Sequence, residues 1–471
     1  MALSRLPFFD VVVEGDSPAV FWNGKPYLDY AALLNRVAEL RSQLKSPDKQ
    51  LVAVCADVTP DMPAWLIAIL SESHAAILID GKAPEREKCT TIERFGADLR
   101  IDLNGTDIQV TKCQPTRTAQ INPELALLLA TSGSTGSARY VRLGRNGLLD
   151  NAMAIAEVLD IHAPDVACMH LAVHYSYGLS VMTSHLARGA ALSISEGGYM
   201  DRSFWQANRE AGISHLPNVP AQLAMLTRLR LDRVLPETVR VLTQAGGRCE
   251  PSVLTTTHDA MSQRESGRFY VMYGQTEASP RMTTLAHEDF AVRSGSVGLP
   301  LPGCRVEIVD DKGETLPTGK TGEVVFFGSN VMHGMAETAD DLTLADEQCG
   351  RLSTGDVGHL DSDGFLYITG RRSRLAKVHG VRVNLDDIER ILDPLRRSYV
   401  VDLDDSIGVA ITVESPATEP DIEQTLASAG QLLAEKVRLP TRTWKLQVIE
   451  QVPLTSRGKT DYQSLIREFD A

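Results

Sequence analysis

Apolar positions along this chain recur in two periods that alternate over most of its length. Between Tyr30 and Leu44, the residues Leu33, Val37, Leu40 and Leu44 stand at spacings of four, three and four, which predicts one buried helix face. Leu51 to Ala56 and Ala75 to Ile79 are continuous apolar runs of strand length, and Met62 to Leu70 between them reads as a helix. The rhythm returns from Leu148 to Ile194, with a helix over 149–159 and a strand over 190–194, and once more over 205–242. Residues 19–29 read as a hairpin turning at Asn23-Gly24. Strands alternating with helices predict a parallel sheet wrapped by helices.

From Gly295 the texture changes to short strand-prone segments, Arg305 to Val309, Glu323 to Phe327 and Leu366 to Ile368. Turn residues separate them at Asp310 to Gly313, Pro317 to Gly319 and Asp361 to Gly364. A small β subdomain over about 295–370 follows from that pattern. The remainder, 371–471, carries strands near 407–413 and 444–449 and helices near 386–392 and 422–437, and reads as a separate lid. No internal repeat and no low-complexity tract interrupts this order.

Composition narrows the partners rather than the fold. At 471 residues the chain exceeds what one core can serve, so two to four packing units are expected. Its net charge of −14, with no block of Lys and Arg to offset it, argues against nucleic acid and anionic membrane as partners. Seven cysteines, scattered and never spaced as a metal or redox pair, fit a reducing cytoplasm. No HExxH spacing marks a zinc site, no apolar run reaches the length of a membrane span, and the first residues lack the pattern of a secretory signal.

Four stretches carry chemistry. The apolar strand Leu125 to Ala130 runs into Thr131-Ser132-Gly133-Ser134-Thr135-Gly136, where glycines let backbone N–H groups turn toward an anion and hydroxyls add donors without bulk; Arg139 follows with a fixed positive charge. Phe269 to Met272 reads as a strand ending in Tyr273-Gly274-Gln275-Thr276-Glu277, at the end of a parallel strand where ligands sit. The aromatic ring suits a planar base, and a hydroxyl beside a carboxylate suits a phosphate and its magnesium. Asp356, after a Ser-Thr-Gly turn, can accept both hydroxyls of a ribose, and Arg371 lies just after Gly370. Pro453 to Asp461 presents Lys459 beside Gly458. Taken singly, each also reads as an ordinary turn, an ion pair or a solvated lysine.

Together, TSGSTG, YGQTEAS, STGDVGHLDSDG with GRRS, and PLTSRGKTD occur in the order and approximate spacing found in the ANL superfamily of adenylate-forming enzymes. The chain resembles that superfamily from about residue 17 to 466. The resemblance implies an α/β fold: a large N-terminal domain, 1–370, of stacked mixed and parallel sheets with flanking helices and the β subdomain, then a small α+β lid, 371–471. It implies ATP and Mg2+ as cofactors. A carboxylic acid would be activated to an acyl-adenylate with release of pyrophosphate, and the acyl group passed to a thiol of CoA or of a carrier protein. Thr131, Ser132, Thr135 and Arg139 would hold the β- and γ-phosphates, with Gly133, Ser134 and Gly136 also in the ATP-binding loop. Gly247 and Tyr273 would flank the adenine, Thr276 would meet the α-phosphate, and Glu277 would bind magnesium. Asp356 and Arg371 would hold the ribose, and Lys459 would bridge the attacking carboxylate and the α-phosphate. The lid would turn about Ser373 and bring Gly380 to line a thiol tunnel. Two departures stand out: Ala138-Arg139-Tyr140 replaces the usual Pro-Lys-Gly after the phosphate loop, and Ser373 replaces the usual Asp or Lys hinge.

His174-Tyr175-Ser176-Tyr177-Gly178-Leu179 matches the superfamily's aromatic segment at the acyl pocket, with Gly246 and Gly247 as a further wall. Tyr175 stands where members that activate α-amino acids carry an Asp, and a buried ammonium without a partner is costly, so a free amino acid is disfavoured. Aryl acids and short, medium or cyclic aliphatic acids remain. His174 reads equally as a pocket residue and as a satisfied interior histidine. An amide-forming synthetase and a non-catalytic nucleotide or acyl-AMP sensor are the alternatives to an acid–thiol ligase, and the oligomeric state stays open.

Overall fold

A computed structural model describes residues 3–115, 117, 119–131, 139–378, 381–403, 406–413, 418–437, 440–454 and 460–470. The chain forms two compact units, Met1–Val306 with Phe326–Leu352, and Glu307–Val325 with Ser353–Ala471.

The first unit is built on two large sheets. A seven-stranded sheet runs in the order Gly334–Ala336, Tyr140–Gly144, Leu125–Ala130, Ala75–Asp80, Leu51–Ala56, Leu99–Asn104 and Asp107–Lys112. Its middle strands pair in parallel and are buried on both faces, which is why they read as unbroken apolar runs. The helix Tyr30–Leu44 buries Leu33, Val37, Leu40 and Leu44 as its spacing predicts. Its first turn is closed by Asp29, whose side chain accepts from the Ala32 N–H at 2.7 Å. The helix Met62–Ser71 is buried almost all round, with Pro63 in the first turn where a missing N–H costs nothing.

The second sheet has nine strands, in the order Leu299–Pro300, Arg281–Leu285, Arg268–Gly274, Val241–Gln244, His215–Asn218, Val166–Cys168, Ala191–Ile194, Pro18–Trp22 and Lys25–Asp29. From Arg268–Gly274 to Pro18–Trp22 every pairing is parallel. Cys168, Ile194, Asn218, Gln244 and Gly274 therefore end their strands along one edge, the edge at which open parallel sheets hold ligands.

Both sheets are mixed, with antiparallel strands at their margins. The hairpin of Leu99–Asn104 and Asp107–Lys112 turns at Asn104-Gly105, and its outer strand alternates Ile108 and Val110 with polar residues but is exposed at nearly every position.

The second unit carries a three-stranded sheet, Ser398–Asp402, Ile407–Thr412 and Trp444–Ile449, with the helices Leu385–Leu392, Glu419–Lys436 and Tyr462–Asp470. Ile388, Val400, Val409, Ile411 and Leu433 form its core. Glu389 fastens it: its carboxylate takes the Val400 N–H at 2.9 Å, the Tyr462 hydroxyl at 3.1 Å and the Arg374 guanidinium at 2.5 Å. Burial raises the Glu389 carboxyl, the Asp386 charge adds to the rise, and the Arg374 charge opposes it. Among the described residues no helix is long and apolar enough to cross a membrane. All seven cysteines are free.

Candidate active site

The buried strand Leu125–Ala130 delivers Thr131 at its end, and the chain returns as the antiparallel strand Tyr140–Gly144. The Thr131 N–H donates to the Arg139 carbonyl at 2.8 Å, which closes the neck of the loop between them. Ser132, Gly133, Ser134, Thr135 and Gly136 lie outside the described residues. Arg139 points to solvent and pairs with the exposed Glu337 at 3.4 Å. An ion pair that exposed is worth little, so the guanidinium can be exchanged to an incoming anion.

The second stretch is held by its backbone and leaves its side chains outward. The strand Arg268–Gly274 ends in a single turn, Thr276–Ala278. Asn330, wholly buried, donates from its carboxamide to the Ala278 carbonyl at 2.6 Å and to the Arg281 carbonyl at 3.2 Å. Its main-chain carbonyl accepts from the Ser279 hydroxyl at 2.8 Å, and the Met332 N–H donates to the Glu277 carbonyl at 2.8 Å. With the main chain clamped, Tyr273, Thr276 and Glu277 stay half-buried at the ligand edge.

The aromatic segment meets this turn directly. The helix Ser176–Leu186 begins in the middle of the segment, and the Ser176 and Thr276 hydroxyl oxygens are 3.1 Å apart. His174 Nε2 lies 3.8 Å from Asp80 Oδ2, at the end of Ala75–Asp80. The other Asp80 oxygen accepts the Lys82 N–H at 2.9 Å, and this turn aims the carboxylate. The Tyr175 hydroxyl occupies the place a Cβ on residue 246 would take, and Gly246 itself has φ of +90°, a conformation that also favours glycine. Gly247 continues that turn, its carbonyl accepting from Gln244 at 3.0 Å. Tyr177 goes the other way. It is buried, its hydroxyl is 2.7 Å from the Thr243 hydroxyl, and the buried Arg281 guanidinium lies 4.9 Å from its ring centre.

In the second unit, Asp356 and Arg371 face each other across the strands Arg351–Leu360 and Leu366–Arg371, and Arg371 Nε donates to Asp356 Oδ1 at 2.6 Å. Asp356 is buried and Arg371 more than half exposed, so the carboxylate is fixed by a partner that remains open to solvent. Ser373 sits in the short turn Arg372–Arg374. Gly380 and Lys459 lie outside the described residues.

Three contacts enter only with the structure, those of Asp80, Ser176 and Asn330. Ser176 lies inside the aromatic segment and was open to notice, whereas Asp80 and Asn330 belong to no motif.

A magnesium ion fits this donor set. Among the described residues no group of three or more His, Cys, Asp and Glu could form a protein cage. Mg2+ is commonly held by one or two carboxylates together with substrate phosphates. Glu277, half-buried beside Thr276, offers such a carboxylate.

A clamped Thr-Glu pair in hydroxyl contact with an aromatic segment, at the ligand edge of the nine-stranded sheet, suits a nucleotide-dependent ligase. The model of the AMP-binding enzyme family matches residues 71–335, more than half of the sequence. The chain belongs to this family and, with it, to the ANL superfamily of adenylate-forming enzymes. Indoleacetate–CoA ligase of Aromatoleum aromaticum is 28% identical over 356 residues, covering 73% of this chain and 67% of that protein. 2-Succinylbenzoate–CoA ligase of Enterococcus faecalis is 25% identical over 341 residues, covering 71% and 68%. The structure of O-succinylbenzoate coenzyme A synthetase (MenE) from Bacillus subtilis, in complex with ATP and magnesium ion, superposes with a TM-score of 0.72 over 94% of this chain and 95% of that one, at 20% identity. The last likeness establishes the shared fold.

Proposed function

We propose that this chain is an AMP-forming acid–thiol ligase: it joins a carboxylic acid to the α-phosphate of ATP, releases pyrophosphate, and passes the acyl group to a thiol. The observation that carries this reading is the 3.1 Å approach of Ser176 to Thr276, which brings the acyl segment and the nucleotide turn to one point on the sheet edge. The named relatives are CoA ligases, and CoA is accordingly the leading acceptor, with a carrier-protein phosphopantetheine the other thiol of the same chemistry.

Within the first unit, Thr131 and Arg139 are assigned to the β- and γ-phosphates together with Ser132 to Gly136. Tyr273 and Gly247 are assigned to the adenine, and Thr276 to the α-phosphate. Glu277 would hold magnesium, which when bound supplies positive charge to the phosphate oxygens. Within the second unit, Asp356 is assigned to the ribose hydroxyls with Arg371 holding its carboxylate, Lys459 to the meeting point of carboxylate and α-phosphate, Ser373 to a hinge and Gly380 to the thiol tunnel. Attack of one anion on another is slow because charge accumulates around phosphorus, so the chain's task is to place cations and fixed dipoles there and to hold the carboxylate in line. Seven free cysteines fit a reducing compartment, and we assign the protein to the cytoplasm.

The test is acid-dependent exchange of labelled pyrophosphate into ATP, run over aryl, alicyclic and linear acids with hydroxylamine trapping in parallel. Exchange and hydroxamate should appear with at least one acid and vanish without it. Absence of both with every acid would leave a nucleotide-binding sensor as the better reading.

A further inference from the structure

The edge above the strand His215–Asn218 is closed by one side chain. In the sheet this strand lies between Val166–Cys168 and Val241–Gln244. Tyr175 follows the first of these neighbours and Gly246 follows the second. Because the tyrosine hydroxyl rests at Gly246, the ring spans from one neighbour to the other across the end of His215–Asn218. Val219, the next residue along, approaches the same spot, its Cγ1 3.4 Å from the position of a Cβ on residue 246. The tyrosine is braced at its other end by Tyr177, edge-on at 6.3 Å between ring centres.

The space next to it is already filled. Asn218 is wholly buried, its side-chain carbonyl accepting from the Tyr199 hydroxyl at 2.6 Å and its amide donating to the Leu216 carbonyl at 2.9 Å. The Tyr199 ring packs against His170 at 5.3 Å and Trp205 at 5.2 Å. Burial keeps the His170 imidazole neutral down to about pH 4. This stack is therefore closely packed, made of aromatic rings and an amide whose oxygen and nitrogen are both engaged. An acyl group that extends past Tyr175 must displace either the ring wedged at Gly246 or this close-packed stack, and interiors resist such insertion.

We propose that Tyr175 is a specificity-determining residue that limits this chain to compact acyl groups and excludes extended aliphatic chains and fused-ring aryl acids. The proposal rests on the acid-activating reading above. It does not depend on which thiol accepts the acyl group.

The experiment compares wild type, Tyr175→Phe and Tyr175→Ala in pyrophosphate exchange with acetate, propionate, butyrate, octanoate and indoleacetate. For wild type, kcat/KM should fall by at least about tenfold from the best short acid to octanoate and to indoleacetate, the scale of discrimination a hydrophobic pocket gives for a misfit group. Tyr175→Phe keeps that order because the ring still spans the strand end. Tyr175→Ala raises kcat/KM for octanoate or indoleacetate by about tenfold or more through KM for the acid, with KM for ATP unchanged. A wild-type preference for octanoate or indoleacetate overturns the size limit while leaving acid activation intact, and so does an unchanged order in Tyr175→Ala. No exchange with any acid overturns the parent reading and this inference together. Should Tyr175→Ala fail to fold, Tyr175→Leu, too short to reach Gly246, is read in its place by the same criterion.

Discussion

Acid should loosen the scaffold under the acyl segment through two histidines that the proposed chemistry does not use. His185, on the helix Ser176–Leu186, and His215, at the start of His215–Asn218, pack edge to face with ring centres 4.8 Å apart. Nδ1 of His185 is 2.8 Å from the Val181 carbonyl, and Nδ1 of His215 is 2.9 Å from the Ser214 hydroxyl. Nε2 of each is buried with no hydrogen-bond partner among the described residues. Burial holds His185 neutral to about pH 4, against 6.5 for an ordinary imidazole. His215 is also lowered, by burial and then by the charge of His185, although Asp165 favours its protonation. Both folded-state values lie below the unfolded one, so between about pH 6.5 and pH 4 the unfolded chain binds more protons and stability falls as pH falls. Above about pH 6.5 the histidines contribute no slope. For His185 alone the loss is roughly 2 kcal/mol by pH 5 and about 3 kcal/mol once complete, at about 1.4 kcal/mol per pH unit. Urea unfolding of wild type and His185→Leu, at about pH 7.5 and about pH 5, measures it directly. The wild type should lose roughly 2 kcal/mol more than the variant over that interval. Equal losses in the two proteins would refute the argument that a buried neutral imidazole sets this slope.

Three further outcomes follow from the assignments. Lys459→Ala should cut adenylate formation by a few hundredfold, about 3 kcal/mol, the worth of one preorganised donor, while acyl transfer from supplied acyl-AMP stays within a few-fold; equal loss of both steps sinks the assignment. Asn330→Ala strips the donor from the Ala278 carbonyl, leaves the Arg281 carbonyl with Asn151 as donor, and should cost about 1–3 kcal/mol in urea unfolding, with kcat falling as the Thr276 turn loosens; an unchanged kcat means the clamp does not position that turn. Glu277→Gln should raise the magnesium concentration for half-maximal exchange by about tenfold with KM for the acid unchanged, and an identical magnesium titration removes Glu277 from the metal site.

How much of this was legible depended on whether burial imposes a period. The helix Tyr30–Leu44 and the strands Leu51–Ala56 and Leu125–Ala130 were readable because each buries a regular set of positions. The exposed edge Asp107–Lys112 carries only a short alternation, Ile108 and Val110 after the Asn104-Gly105 turn, because burial does not enforce its period. The aromatic segment was visible as residue types, but not as directions. A helix begins at Ser176, and from there packing sends Tyr177 inward to Thr243 and Arg281 while Tyr175, just before the helix, reaches across to Gly246. The contacts that assemble the candidate site join positions that no local period can couple: Ser176 with Thr276, 100 residues away, and Asn330 with Ala278, 52 residues away. What selects them is strand order, because a parallel sheet places the ends of Val166–Cys168, Val241–Gln244 and Arg268–Gly274 on one edge whatever lies between them in the chain. Motif order can name the residues that meet substrate. The residue that holds a motif's backbone, as Asn330 does, is chosen by geometry after folding and carries no signature of its own.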